Sequence, residues 1–178
     1  MGKITTRRIC KNAVLLAMIC VIGMFSIPLG ANIKVSLQLL MVLIICLTAE
    51  SFIDPIIITS LYLLLGLFIP IYAGFNAGIS PTFGYVISFV VISPIIYFIN
   101  KMPKVHYVLR MFIACFTGLL VCYLIGTIFM MLYLSMDFTK VLMISVVPYL
   151  PFDVIKIVLS VIIVVMLPDN IKGQQNSK

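Results

Sequence analysis

The charged residues of this chain are so few and so spaced that they cut it into membrane-length pieces. Asn12 to Ile33 is 22 residues without a charge, and 46 uncharged residues separate Asp54 from Lys101. A helix needs ~20 apolar residues to cross the hydrocarbon layer. The first run therefore makes one span, and the second must fold back on itself. Composition agrees, with 63% hydrophobic residues, 10% charged residues and a mean hydropathy of +1.29. Soluble domains run roughly 45–50% apolar and about 25% charged. Six spans use ~120 residues, which leaves no room for a second soluble domain among 178. The runs do not alternate apolar with polar residues, which argues against a strand barrel.

Lys3, Arg7, Arg8 and Lys11 precede the first run in the manner of a signal peptide. The run is too long for a signal core, however, and no Ala-x-Ala site closes it, so it reads as the first span. In the long run, the segment Tyr72-Ala-Gly-Phe-Asn-Ala-Gly-Ile-Ser-Pro-Thr82 is the reversal, because Gly74, Gly78 and Pro81 interrupt the helical pattern. Pro148 and Pro151 mark a break before the last helix. Helices are expected at about 12–30, 33–49, 55–71, 83–100, 111–134 and 143–167.

Six spans place both termini on one side. With that side cytoplasmic, it collects Lys3, Arg7, Arg8, Lys11, Lys101, Lys104, Arg110, Lys172 and Lys178, and the outside keeps Lys34 and Lys140. Such asymmetry sets orientation, and it also explains the net charge of +7 without nucleic acid, since no basic patch is interleaved with aromatics. The expected fold is an all-α integral membrane protein, a compact bundle of six transmembrane helices with both termini cytoplasmic. Segments 28–34, 72–82 and 135–152 then face outward. Apart from the basic cytoplasmic loop, the polar groups of note lie near that outer side.

Asp153 and Lys156 stand three apart, on one face of the last helix. Charges at membrane depth are expensive and usually face a cavity or a partner. The pair is either a polar-ligand site or mutual neutralisation at a helix start, with the acid near the positive dipole end. Asn76 fits ordinary turn chemistry, because Asn tolerates a left-handed backbone. Gln38 is either interhelical glue or a pocket wall. Tyr72 and Tyr85 flank the reversal, where aromatic anchoring at the interface is the default. Ala13 and Ala17 put two small residues four apart on helix one. Ala114, Gly118, Cys122 and Gly126 form a longer stripe on helix five, which suits packing within the chain.

Several chemistries have no residues to carry them. The sequence holds no GxxxxGK[ST] phosphate loop, no HExxH and no GxSxG. His106, the single histidine, falls in the basic loop. The five cysteines lack CxxC spacing, and all but Cys10 sit inside apolar runs, as small core residues do. No metal site and no catalytic constellation is expected.

Tyr62-Leu-Leu-Leu-Gly66, Pro70-Ile-Tyr-Ala-Gly74, Asn76-Ala-Gly78, Pro81-Thr-Phe-Gly-Tyr85 and Pro151-Phe-Asp-Val-Ile-Lys156 together resemble the signature of the BioY family. These are the biotin-binding S components of energy-coupling factor (ECF) transporters. The similarity runs in order along nearly the whole chain. It implies a plasma-membrane protein of a prokaryote that captures biotin from outside. Delivery would follow docking on a transmembrane coupling protein (EcfT, or BioN) that carries two ABC-type ATPases. ATP is then consumed by those partners, and the chain itself needs no cofactor. The resemblance maps vitamin contacts onto Asn76, Asp153 and Lys156, and the docking face of helix one onto Ala13 and Ala17. Gln38 joins the candidate pocket as a wall, and Tyr85 joins it as a side chain that would enclose the biotin ring system. The chain departs from the family's usual Gly-Pro-Thr/Ser-Gly-Gly-Tyr at Phe83, and Ala77 replaces the glycine after the Asn. The alternatives are an S component for another vitamin or a biotin precursor, a membrane interaction protein whose polar groups serve packing, and a membrane enzyme, for which the sequence offers no catalytic constellation.

Overall fold

The computed structural model describes residues 5–28, 34–103 and 106–168. Lys3, Lys104, Lys172 and Lys178 of the charge count lie outside the described residues, as does most of the 28–34 turn. Among the described residues there are seven helices and one hairpin: α1 Thr6–Met24, β1 Ser26–Pro28, β2 Lys34–Ser36, α2 Gln38–Thr48, α3 Ile53–Phe68, α4 Phe83–Asn100, α5 Tyr107–Leu134, α6 Phe138–Ser145 and α7 Leu150–Met166.

The expected boundaries shift where local chemistry overrides the apolar pattern. β1 and β2 pair antiparallel with Ile27 opposite Val35. Helix one therefore stops at Met24 instead of 30, and helix two starts at Gln38 instead of 33. Helix three ends at Phe68, not 71, because Ile69 precedes Pro70 and takes an extended ψ of 137°, the conformation a following proline imposes. Helix five begins at Tyr107 rather than 111. The last expected helix is two: α6 and α7 meet at a 54° bend, at the break that Pro148 and Pro151 enforce. α4 and α5 are long and apolar enough to cross a membrane, and the bent α6–α7 pair makes a third such unit. α2 and α3 are apolar but shorter, at 11 and 16 residues.

α2 is the centre. All of its residues except Leu40 are buried, as a helix that is hydrophobic all round should be, and it packs against α1, α4 and α7. The small-residue stripe of α5 faces α4 inside the chain. Gly118 lies against Ile96, and a methyl group on Gly126 would stand 2.3 Å from the Tyr85 ring. Ser88 Oγ meets Cys122 Sγ at 2.9 Å in the same seam. Packing is thus what that stripe does.

One polar cluster joins residues that the sequence reading leaves unpaired, none of them from the basic loop. At the end of the bundle where α1 begins, the Arg8 guanidinium forks onto Asp54, with Nη2–Oδ1 at 2.7 Å and Nε within 2.9 Å of both oxygens. Asn12 Nδ2 and the Ser51 N–H also donate to Asp54, at 3.0 Å each. Lys11 Nζ donates to the Thr48 carbonyl at 2.7 Å. Asp54 is only 4% exposed, so the expectation that the notable polar groups gather on the outer side is corrected: there are two clusters, at opposite ends of α2.

Candidate ligand site

The second cluster lies at the end where α2 begins, and a cavity opens beside it. The site is assembled from β2, α2, the 72–82 reversal, α4, α5 and the α6–α7 unit. The α6–α7 bend starts α7 beside the cavity and brings Asp153 into its first turn. There the positive end of the helix dipole favours a carboxylate. Lys156 follows one turn later and donates to Asp153 Oδ1 at 2.6 Å. Both residues are buried, at 5% and 6% exposure. Tyr123 on α5 donates to the other oxygen, Oδ2, also at 2.6 Å.

The reversal supplies the opposite wall. Tyr72 and Asn76 bridge through their backbones, and Gly74 and Phe75 turn the chain with φ of 76° and 59°. The left-handed non-glycine residue is therefore Phe75, not Asn76 as its turn chemistry suggested. Asn76 instead uses its side-chain nitrogen to donate to the Ala73 carbonyl at 2.8 Å. The Gly74 N–H donates to Met24 O at 2.9 Å, and Phe25 meets Phe75 edge-on at 6.1 Å. These contacts tie the reversal to the end of α1.

Gln38 opens α2 and donates to the Tyr62 hydroxyl, which in turn donates to Ile71 O at 3.0 Å. It is both interhelical glue and part of the cavity lining. Tyr85 donates to Ser145 Oγ at 2.9 Å, so this half-buried side chain cross-links α4 to α6.

The cavity has a volume of about 200 Å³, and Gln38, Asn76, Tyr85, Asp153 and Lys156 all line it. Leu39, Val86, Phe89 and Met130 provide apolar wall, and Ser36, Ser80, Thr82 and Tyr149 add hydroxyls. Apolar walls with a few placed polar groups are the usual design of a small-molecule site. Phe83, which stands where the resembled family has glycine, does not line the cavity. It is 8% exposed and packs between Tyr72 and Phe129, at ring distances of 6.2 and 6.0 Å. Tyr123 was missed in the sequence, since it lies 30 residues from Asp153 within an apolar helix. Ala13 and Ala17 are elsewhere, exposed on α1 beside exposed Val14, Met18 and Val21.

Comparison with known proteins bears on the family and the fold. The chain matches the model of the BioY family over residues 1–172. The probable biotin transporter BioY of Pyrococcus horikoshii is 38% identical over 108 residues, which is 57% of this chain and 60% of that relative. The match thus spans less than two thirds of the relative's length. A crystal structure of the S-component for biotin from an ECF-type ABC transporter superposes with a TM-score of 0.78. The superposition covers 90% of this chain and 92% of that one at 23% identity, and it shows a shared fold. This helical membrane chain belongs to the BioY family, whose members are transport components and not enzymes.

Proposed function

We propose that this chain is the substrate-capture component of an ECF-type importer for biotin. It crosses the plasma membrane of a prokaryote six times with both termini cytoplasmic, binds the vitamin from outside, and hands it inward through a coupling protein of the EcfT or BioN kind powered by ABC-type ATPases. The chain needs no cofactor of its own in this scheme, because ATP is spent by the partners. Nine cytoplasmic cations against two outside support the orientation. The short helix α2 serves as a span because its neighbours enclose it, and α3 turns an apolar face outward through Ile57, Leu61, Leu64 and Phe68.

The observation that carries the reading is the buried Asp153–Lys156 pair on the wall of a cavity in a chain of this family. Biotin has a neutral ureido head with two N–H donors and one carbonyl, an apolar thioether ring and an acidic tail. Asp153 accepts an N–H, Lys156 donates to a carbonyl or carboxylate, and Asn76 serves either side. Tyr85, Gln38 and the aliphatic wall enclose the rings. The exposed Ala13/Ala17 face lets a partner helix approach closely and is the docking surface.

Purified full-length chain titrated with biotin, riboflavin, thiamine and folate side by side tests the proposal. The chain has no Trp, so the titration is calorimetric. Binding of biotin alone supports it. Selective binding of another of these vitamins makes the chain an S component for that ligand, and binding of none points to a packing role for the polar residues.

A further inference from the structure

Asp153 has two carboxylate oxygens, and the fold assigns each its own donor from a different helix. Lys156, on the same helix, takes Oδ1 and Tyr123, across the α5–α7 contact, takes Oδ2, both at 2.6 Å. A carboxylate turns easily about its terminal torsion, so Lys156 alone leaves the plane of the group free to swing. The second donor, anchored on another helix, fixes it. Each oxygen of an ionised carboxylate has about two lone-pair sites. With one donor on each, one acceptor position per oxygen remains for a ligand in the cavity that Asp153 and Tyr123 both line.

We propose that Tyr123 is a positioning residue for ligand recognition: by holding Asp153 Oδ2, it presents an oriented, acceptor-only carboxylate that selects ligands by the N–H donors of a neutral head. This rests on the biotin-binding reading. The Asp153–Lys156 pair carries no net charge, so a neutral head completes it without adding an unpaired charge. A head that lacks the N–H leaves a desolvated carboxylate oxygen facing carbon. Rejection for an absent hydrogen bond is the strongest form of discrimination available to a polar site.

The test uses the full chain in detergent and two probes, biotin and biotin methylated on a ureido nitrogen, with wild type and Tyr123→Phe. Tyr123→Phe keeps the ring and removes only the hydroxyl. Wild type should bind biotin and discriminate strongly against the methylated probe. In Tyr123→Phe, biotin affinity should fall about tenfold or more, as expected for a hydrogen bond to a charged group. The preference for biotin over the methylated probe should shrink with it, while the chain stays folded with a melting midpoint lowered by about 3–12 °C at most. Unchanged affinity and unchanged preference overturn the inference. A weaker affinity with the preference intact also overturns it, because a merely structural hydroxyl lowers both ligands alike. If wild type binds no biotin, the functional reading itself fails, and that outcome is distinct from the other two.

Discussion

Lys156→Met is the perturbation that separates a ligand site from a packing device. The methionine keeps the length and apolar stem of lysine but removes the ammonium that donates to Asp153 at 2.6 Å. In a sealed interior, deleting one partner of a buried pair costs about 3–5 kcal/mol. Here the carboxylate keeps the Tyr123 hydroxyl on its other oxygen and faces a cavity that water can enter. The loss is therefore closer to that of one charge-assisted hydrogen bond, about 1.5–3 kcal/mol. At roughly 2–4 °C per kcal/mol for a chain of this size, the midpoint falls by about 3–12 °C. A thiol-reactive dye reads the transition, because Cys46, Cys115 and Cys122 are buried in the folded chain. The double change Asp153→Leu with Lys156→Met removes both charges and should recover most of the lost stability, as replacement of buried pairs by apolar residues often does. Neither protein should bind biotin. A double variant that melts no higher than the single refutes the claim that the two charges form a closed pair. A single variant that binds biotin as wild type does removes lysine from the recognition.

Four further outcomes follow from the same geometry. Ala17→Trp puts a large ring on the exposed face of α1, so uptake in cells carrying the coupling module should be lost while biotin binding by the purified chain is unchanged; unaltered uptake refutes the docking role. Asp54→Asn weakens the network that joins Arg8, Asn12 and Ser51 by removing the charge from its shared acceptor, at a cost of about 1.5–3 kcal/mol, visible as a lower melting midpoint with ligand affinity retained. Gly126→Val drives its side chain into the Tyr85 ring, which should cost about 1–3 kcal/mol through overpacking and weaken biotin binding by displacing a cavity wall. Phe83→Gly removes a ring wedged between Tyr72 and Phe129, so calorimetry and melting together should show a stability loss of about 3–5 kcal/mol with no change in the ranking of vitamins.

What could be read from the sequence follows from the range of each interaction. Asp153 and Lys156 share one turn of helix, so their pairing is visible from spacing alone. The Pro148/Pro151 break is equally local, and it foretells the bend though not the separate helix α6. Tyr123 and Asp153 meet from different helices, as do Arg8 and Asp54 across 46 positions. Nothing in either local pattern announces these contacts, because an apolar run hides which face of a helix meets which neighbour. The β1–β2 hairpin was hidden for another reason. Its strands are only three residues each and adjoin long apolar runs, so they pass for helix ends, with Pro28, Gly30 and Asn32 as the turn-favouring residue types nearby. Asn76 was correctly placed in a tight turn, yet the strained backbone falls one residue earlier, since Phe75 takes the left-handed position beside Gly74.

The brevity of α2 sets how far apart the two ends of the bundle stand. Eleven residues at 1.5 Å each span only about 16 Å, roughly half of the ~30 Å hydrocarbon layer. A polar group stands at either end of this post: the Gln38 amide beside the cavity, and Thr48, whose carbonyl receives Lys11. This post, buried at every position but Leu40, is therefore all that separates the cavity end of the bundle from the Arg8–Asp54 end, and the two polar clusters are held apart by about three turns of apolar helix.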